Sequence, residues 1–189
     1  MEGVCSAQVE AQNEHSRGLK GLIGFRQGFD QLHQNLKGEL QMTTDSSIAL
    51  ITGGTSGIGR AAANKLAQLG IHVLVVGRNA ERGEKTVAEI RTAGGKADFI
   101  SSDLRDASSA REVARRAVEL GNGYVDILIN NAGVFPFGPT HEMTEEVFDS
   151  VYALNVKAPY FLVAELAPPM AKRGKGAIVN VSTITGRLA

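Results

Sequence analysis

One cysteine, no surplus of either charge and no long apolar run: each lack removes a class of function. Cys5 stands alone among 189 residues, so no internal disulfide can form and nothing points to an oxidising compartment. It reads as a free thiol. Twenty Lys and Arg balance twenty Asp and Glu, which offers no electrostatic footprint for a nucleic acid or an anionic membrane surface. No stretch approaches the roughly 20 apolar residues that a membrane span requires. Residues 1–11 have neither a basic n-region nor an apolar h-region, and Glu2, Glu10 and Glu14 argue against a transit peptide. A cytoplasmic location is the default expectation. His15, His33, His72 and His141 have no metal-ligand spacing with the cysteine or with acids, so no metal site is expected. No internal repeat or low-complexity tract is evident.

What is present is ordinary for a globular domain, with 43% hydrophobic and 21% charged residues. Residues 1–41 are rich in Gln, Gly, Glu and His and hold no β-branched run. They read as a poorly ordered extension, with Met42 a possible natural start; the alternative is a short helix over 29–40 that docks on the domain. From Ser47 a regular alternation begins. Apolar runs at 48–51, 73–76, 99–100, 125–129 and 177–181 read as strands. Helical spacing fills 58–69, 80–93 and 107–120, and a long helix is expected from an N-cap at Thr144, with Glu145 and Glu146 at its positive end. Apolar strands alternating with helices predict βαβ units, a parallel sheet covered on both faces, and the right-handed crossovers of a Rossmann-type, doubly wound α/β fold over 42–189.

The first strand runs into Thr52, Gly53, Gly54, Thr55, Ser56, Gly57, Ile58 and Gly59. Glycines here permit positive φ and close backbone approach, and the following helix offers free N–H groups and a positive dipole end to a pyrophosphate. The alternative is a tight turn that serves helix–strand packing. The context of strand before, helix after and a second strand beyond favours the phosphate reading.

Thr52, Gly53, Gly57 and Gly59 in this spacing resemble the cofactor loop of the short-chain dehydrogenase/reductase family. Asn130, Asn131, Ala132 and Gly133 are similar to its NNAG motif, which follows the fourth strand. The resemblance extends to Asp103 followed by Leu104 after the third strand, to Asn155 in the long helix and to Ser182 at the end of the fifth strand. It covers residues 46–187 in the family's order. It implies that Asp103 contacts adenine, that Asn130 and Asn131 hold strands together beside the adenosine, and that Ser182 and Asn155 are catalytic. Each residue also has a plainer reading: Asp103 as the N-cap of the next helix, the two asparagines as turn formers, Ser182 as a helix cap.

Dinucleotide folds that bind NAD place an acid on the ribose 2′-hydroxyl about 20 residues past the glycine loop. Here Gly77 occupies that place and Arg78 follows. A guanidinium can hold a 2′-phosphate by a bidentate contact. NADP is therefore the expected cofactor, with NAD possible; the alternative is an exposed Arg78 paired with Glu81. Pro159 has no N–H for the Asn155 carbonyl, so the long helix should bend there. The freed carbonyl is placed to hold a water, as the resemblance implies. Phe135 and Phe137, just past Gly133, are candidates for the substrate pocket or for loop packing.

The resemblance further implies a Tyr-x-x-x-Lys pair, a small-molecule alcohol or carbonyl substrate, and a homo-oligomer for a complete chain. Tyr124, Tyr152 and Tyr160 are followed four residues on by Leu128, Val156 and Ala164, so the pair is absent. The chain reads as C-terminally incomplete and inactive alone, with a non-catalytic binding module or an unstable fragment as alternatives. A strand order of 3-2-1-4-5 would leave the apolar fifth strand as an open edge, which favours association.

Overall fold

A computed structural model describes residues 47–182; the expectations for 1–41 and 29–40 lie outside the described residues. Five strands, β1 (Ile48–Thr52), β2 (His72–Gly77), β3 (Ala97–Ser101), β4 (Ile127–Asn130) and β5 (Ala177–Asn180), form one parallel sheet. Their order is β3-β2-β1-β4-β5, as the sequence predicts. Leu50 pairs with Leu74 on one side and Leu128 on the other, and Leu128 with Ile178.

Alternate residues of the strands feed two cores. Leu50, Leu74, Val76 and Leu128 pack with α3 (Ala107–Leu120) and the C-terminal helix α5 (Ala158–Arg173), through Val113, Leu162 and Leu166. Ile51, Val73 and Val75 pack with α1 (Gly57–Gln68) and α2 (Ala80–Thr92), through Ala63, Val87 and Ile90. Burial on both faces explains why these strands read as continuous apolar runs rather than as alternation. Gly83 shows how closely α2 sits: a Cβ there would come within 2.1 Å of the Phe99 ring. The outer strand β5 is exposed along its length, with Val179 47% accessible.

Two sequence expectations are corrected. β4 begins at Ile127 rather than at 125. The buried carboxylate of Asp126 takes the Ile48 N–H at 3.0 Å, so a side chain does there what a ladder carbonyl would do further along. The cap of α3 is Asp106, not Asp103. Asp106 accepts the Ser109 N–H at 2.7 Å, and this bond above all holds its carboxyl below the usual range. The long helix runs from Glu145 to Arg173, as expected, with one irregular turn inside it. Thr144 caps α4 (Glu145–Tyr152) through the Val147 N–H. A π turn, Ala153–Lys157, then joins it to α5, with the Ala158 N–H donating to the Ala153 carbonyl five residues back. Just ahead of Pro159, where the sequence places a bend, the ladder widens into this turn, a common accommodation of an interrupted i→i−4 pattern. Among the described residues no helix is long and apolar enough to cross a membrane.

Candidate active site

The carboxyl ends of β1 and β4 lie side by side where the strand order reverses, the place where open α/β sheets bind ligands. Thr52 and Asn131 knit the two ends together. The Thr52 hydroxyl accepts the N–H groups of Asn131 and Ala132, each at 3.0 Å. The Asn131 side-chain amide donates to the carbonyls of Thr52 and Gly53 at 3.1 and 3.2 Å.

Gly53 and Gly57 have φ of +65° and +52°, a region that favours glycine. Their surroundings differ. A Cβ on Gly53 would lie 2.9 Å from Ala132, whereas nothing stands within 4 Å of one on Gly57. Gly59 is required for a third reason: a Cβ there would sit 2.4 Å from both the Gly53 carbonyl oxygen and the Asn131 amide nitrogen. The start of α1 is therefore held against its own loop by the lack of a side chain. Ser56 is the N-cap of α1, yet its hydroxyl makes no capping hydrogen bond.

Two clefts open above this junction. The smaller, about 230 Å³, lies over the ends of β1, β2 and β3 and brings Thr55, Ser56, Arg78, Asp103 and Leu104 together. Gly77 belongs to its floor. A Cβ at Gly77 would lie 2.5 Å from the Thr55 methyl, so the threonine occupies the space an acidic side chain at 77 would need. Asn79 caps α2 by accepting the Arg82 N–H at 2.8 Å. This leaves Arg78 outside the helix and exposed, and the pairing with Glu81 is not formed. Asp103 pairs with Arg105 at 2.5 Å.

The larger cleft, about 980 Å³, lies between the loop after β4, the π turn and the end of β5. It is lined by Asn130, Asn155, Ser182, Phe135, Phe137 and Tyr160, among others. The Asn155 side chain is anchored to the loop after β4. Its oxygen accepts the Val134 N–H at 2.9 Å and its amide donates to the Val134 carbonyl at 2.8 Å. Phe135 and Phe137 meet edge to face at 4.9 Å and are largely exposed. Ala132, Gly133 and Val134 line both clefts, which makes one trough across the sheet's edge. Among the described residues no group of His, Cys, Asp and Glu is arranged to hold a metal ion.

Asn180 and Arg82 belong to this region and were not singled out from the sequence. Asn180 accepts from the Asn130 amide at 2.9 Å, while the buried Asn130 oxygen has no partner. The available signal was one asparagine in an apolar strand. For Arg82 it was a cation in the first turn of a helix, where acids are favoured.

The short chain dehydrogenase family pattern matches residues 47–189. An uncharacterized oxidoreductase from Thermotoga maritima is 41% identical over 145 residues, which is 77% of this chain and 57% of that protein. Dehydrogenase/reductase SDR family member 4 from Bos taurus is 41% identical over 74% of this chain and 50% of its own. The chain thus spans about half the length of these curated relatives. Among solved structures, a metagenomic short-chain oxidoreductase in complex with NADP has a TM-score of 0.71 at 37% identity, over 74% of this chain and 63% of that one. A short-chain dehydrogenase from Streptomyces avermitilis has a TM-score of 0.70 at 33% identity, over 78% and 53%.

Proposed function

The chain belongs to the short chain dehydrogenase family, and from that premise we propose that it forms the dinucleotide-binding unit of an oxidoreductase acting between alcohols and carbonyls, with NADP preferred over NAD. The observation that carries this reading is the trough itself, with a glycine loop at its centre and a free guanidinium, Arg78, where an NAD site would place an acid. The neighbour solved with NADP supports it.

The residues suit the cofactor. Open space at Gly57 lets a phosphate approach the backbone, beside the free N–H groups of α1 and the unused Ser56 hydroxyl. In this reading Thr52, Gly53, Thr55, Ser56, Gly57, Ile58 and Gly59 hold the pyrophosphate. Asp103 and Leu104 flank the adenine, and Asn130, Ala132 and Gly133 border the ribose. The bound nicotinamide supplies the hydride chemistry. Ser182, exposed in the larger cleft, donates a hydrogen bond to the oxygen of a small-molecule alcohol or carbonyl. Asn155, held by two hydrogen bonds to Val134, fixes the loop after β4 beside the site and keeps one amide N–H and one lone pair for the cleft.

Arg78→Asp tests the cofactor preference. Charge-assisted hydrogen bonds contribute about 1.5–3 kcal/mol, so NADPH affinity should fall roughly 10- to 100-fold while NADH affinity holds or improves. Fluorescence titration of both cofactors measures this, and an unchanged NADPH/NADH ratio contradicts it.

These 189 residues hold no Tyr-x-x-x-Lys pair, the proton-donating pair that the resemblance implies. A polypeptide of this sequence alone should then bind NADPH yet reduce no carbonyl above background. NADPH-dependent turnover that vanishes in Ser182→Ala would contradict it.

A further inference from the structure

Asn122 is the one asparagine of the chain that a glycine follows. Among the described residues it is also the one non-glycine residue at positive φ, at +56°. It stands just past the end of α3, where the helix closes in a doubly bonded turn. The Gly123 N–H donates to the Val118 carbonyl at 2.8 Å and the Asn122 N–H to the Glu119 carbonyl at 3.3 Å. These are the bonds of a Schellman motif, with asparagine in the left-handed place that glycine usually takes. Asn122 and Gly123 are both exposed, and a Cβ on Gly123 would meet nothing within 4 Å, so no neighbour crowds this peptide.

We infer that Asn122 is a modification site, a deamidation site that the closing turn of α3 holds in check. The Gly123 backbone nitrogen attacks the carbonyl carbon of the Asn122 side chain. An N–C bond forms, the side-chain nitrogen leaves as ammonia with the proton of the Gly123 N–H, and a cyclic imide results. Water then opens the ring at either carbonyl, which gives aspartate or isoaspartate. Glycine leaves this approach open, whereas Asn155 and Asn180 are each followed by a branched valine. The attacking nitrogen is the one that donates to Val118, so the turn must open before the ring can close. Helix ends open at a lower cost than the whole fold, and conversion therefore proceeds from the folded protein, more slowly than from an unfolded one. The products weaken the turn. A new carboxylate stands at the negative end of α3, where an anion is disfavoured. Isoaspartate also adds a carbon to the backbone just ahead of Asp126, whose buried carboxylate holds Ile48 and Arg173.

The test is ageing of the full chain in mildly alkaline buffer, native and in urea, followed by peptide mapping with mass spectrometry and detection of isoaspartate. Asn122 should convert in both, roughly ten- to a thousandfold more slowly in the native protein, with isoaspartate the larger product. The aged native protein should unfold at lower urea than the fresh one. Asn122→Gly keeps the left-handed turn and removes the amide; it should form no product here and keep its midpoint on ageing. Equal rates in native buffer and in urea would overturn the inference, because the turn would then restrain nothing. No native product alongside full conversion in urea would also overturn it, since the turn would then be no point of opening. An Asn122 that survives in urea, or an aged Asn122→Gly protein that loses stability as wild type does, would do the same.

Discussion

Gly59→Val should abolish dinucleotide binding and lower the stability of the fold together. The position has no room: the first added carbon would stand 2.4 Å from the Gly53 carbonyl oxygen and from the Asn131 amide nitrogen. That nitrogen donates to the carbonyls of Thr52 and Gly53, so relief of the clash requires either the loss of those bonds or a shift of α1 away from its loop. Overpacking costs about 1–3 kcal/mol, and each hydrogen bond lost adds about 1 kcal/mol. A displaced α1 no longer presents its N–H groups at the loop. Gly57→Ala is the matched comparison. It meets no neighbouring protein atom, so its stability cost is about 1–2 kcal/mol for a side chain at positive φ, and its methyl crowds the phosphate's approach enough to weaken binding without abolishing it. Urea midpoints and NADPH titration should therefore rank wild type, Gly57→Ala and Gly59→Val in descending order of stability, with binding absent only in the last. Wild-type midpoint and affinity in Gly59→Val would refute the packing argument.

Asp126→Ala should destabilise the chain by about 2–4 kcal/mol and leave the affinity of the folded protein for dinucleotide unchanged. Removal of one partner from a buried ion pair costs about 3–5 kcal/mol; partial exposure of the partner cations lowers that range through solvent screening. Asp126 is 3% exposed. Its carboxylate accepts the Ile48 N–H at 3.0 Å, and the Arg173 guanidinium at 3.1 Å, and lies 3.6 Å from the Lys175 ammonium. Arg173 also donates to the Val125 carbonyl and lies over the Tyr124 ring. One acid thus ties the starts of β1 and β4 to the end of α5, at the opposite end of the strands from the trough. Denaturant unfolding measures the loss, and a change below about 0.5 kcal/mol, the scale of an ordinary surface substitution, would show that the network contributes little.

The strands and their order were readable from the sequence because a sheet covered on both faces demands apolar runs, and because right-handed crossovers leave few topologies. The glycine loop was readable for a similar reason: Gly53 and Gly59 allow approaches that no other residue permits. What stayed hidden depends on contacts distant in sequence. The Asp126 carboxylate, just ahead of β4, takes the N–H of Ile48, 78 residues away. The irregularity between α4 and α5 was signalled by Pro159, but its form as a π turn accompanies the two-bond hold of Asn155 on Val134. Pro168 and Pro169 lie inside α5, where local preference alone would end a helix. Arg82 and Asn180 became visible only once the sheet had brought their neighbours together.

The most direct test of the dinucleotide site is amide hydrogen exchange of the full chain with and without NADPH. Slow exchange should appear on binding at 53–59, at 77–82 and at 132–134, the segments that border the trough. Protection there should be weaker with NADH at equal concentration. Saturable NADPH binding with no change at 53–59, or protection confined to residues away from the trough, would contradict the account.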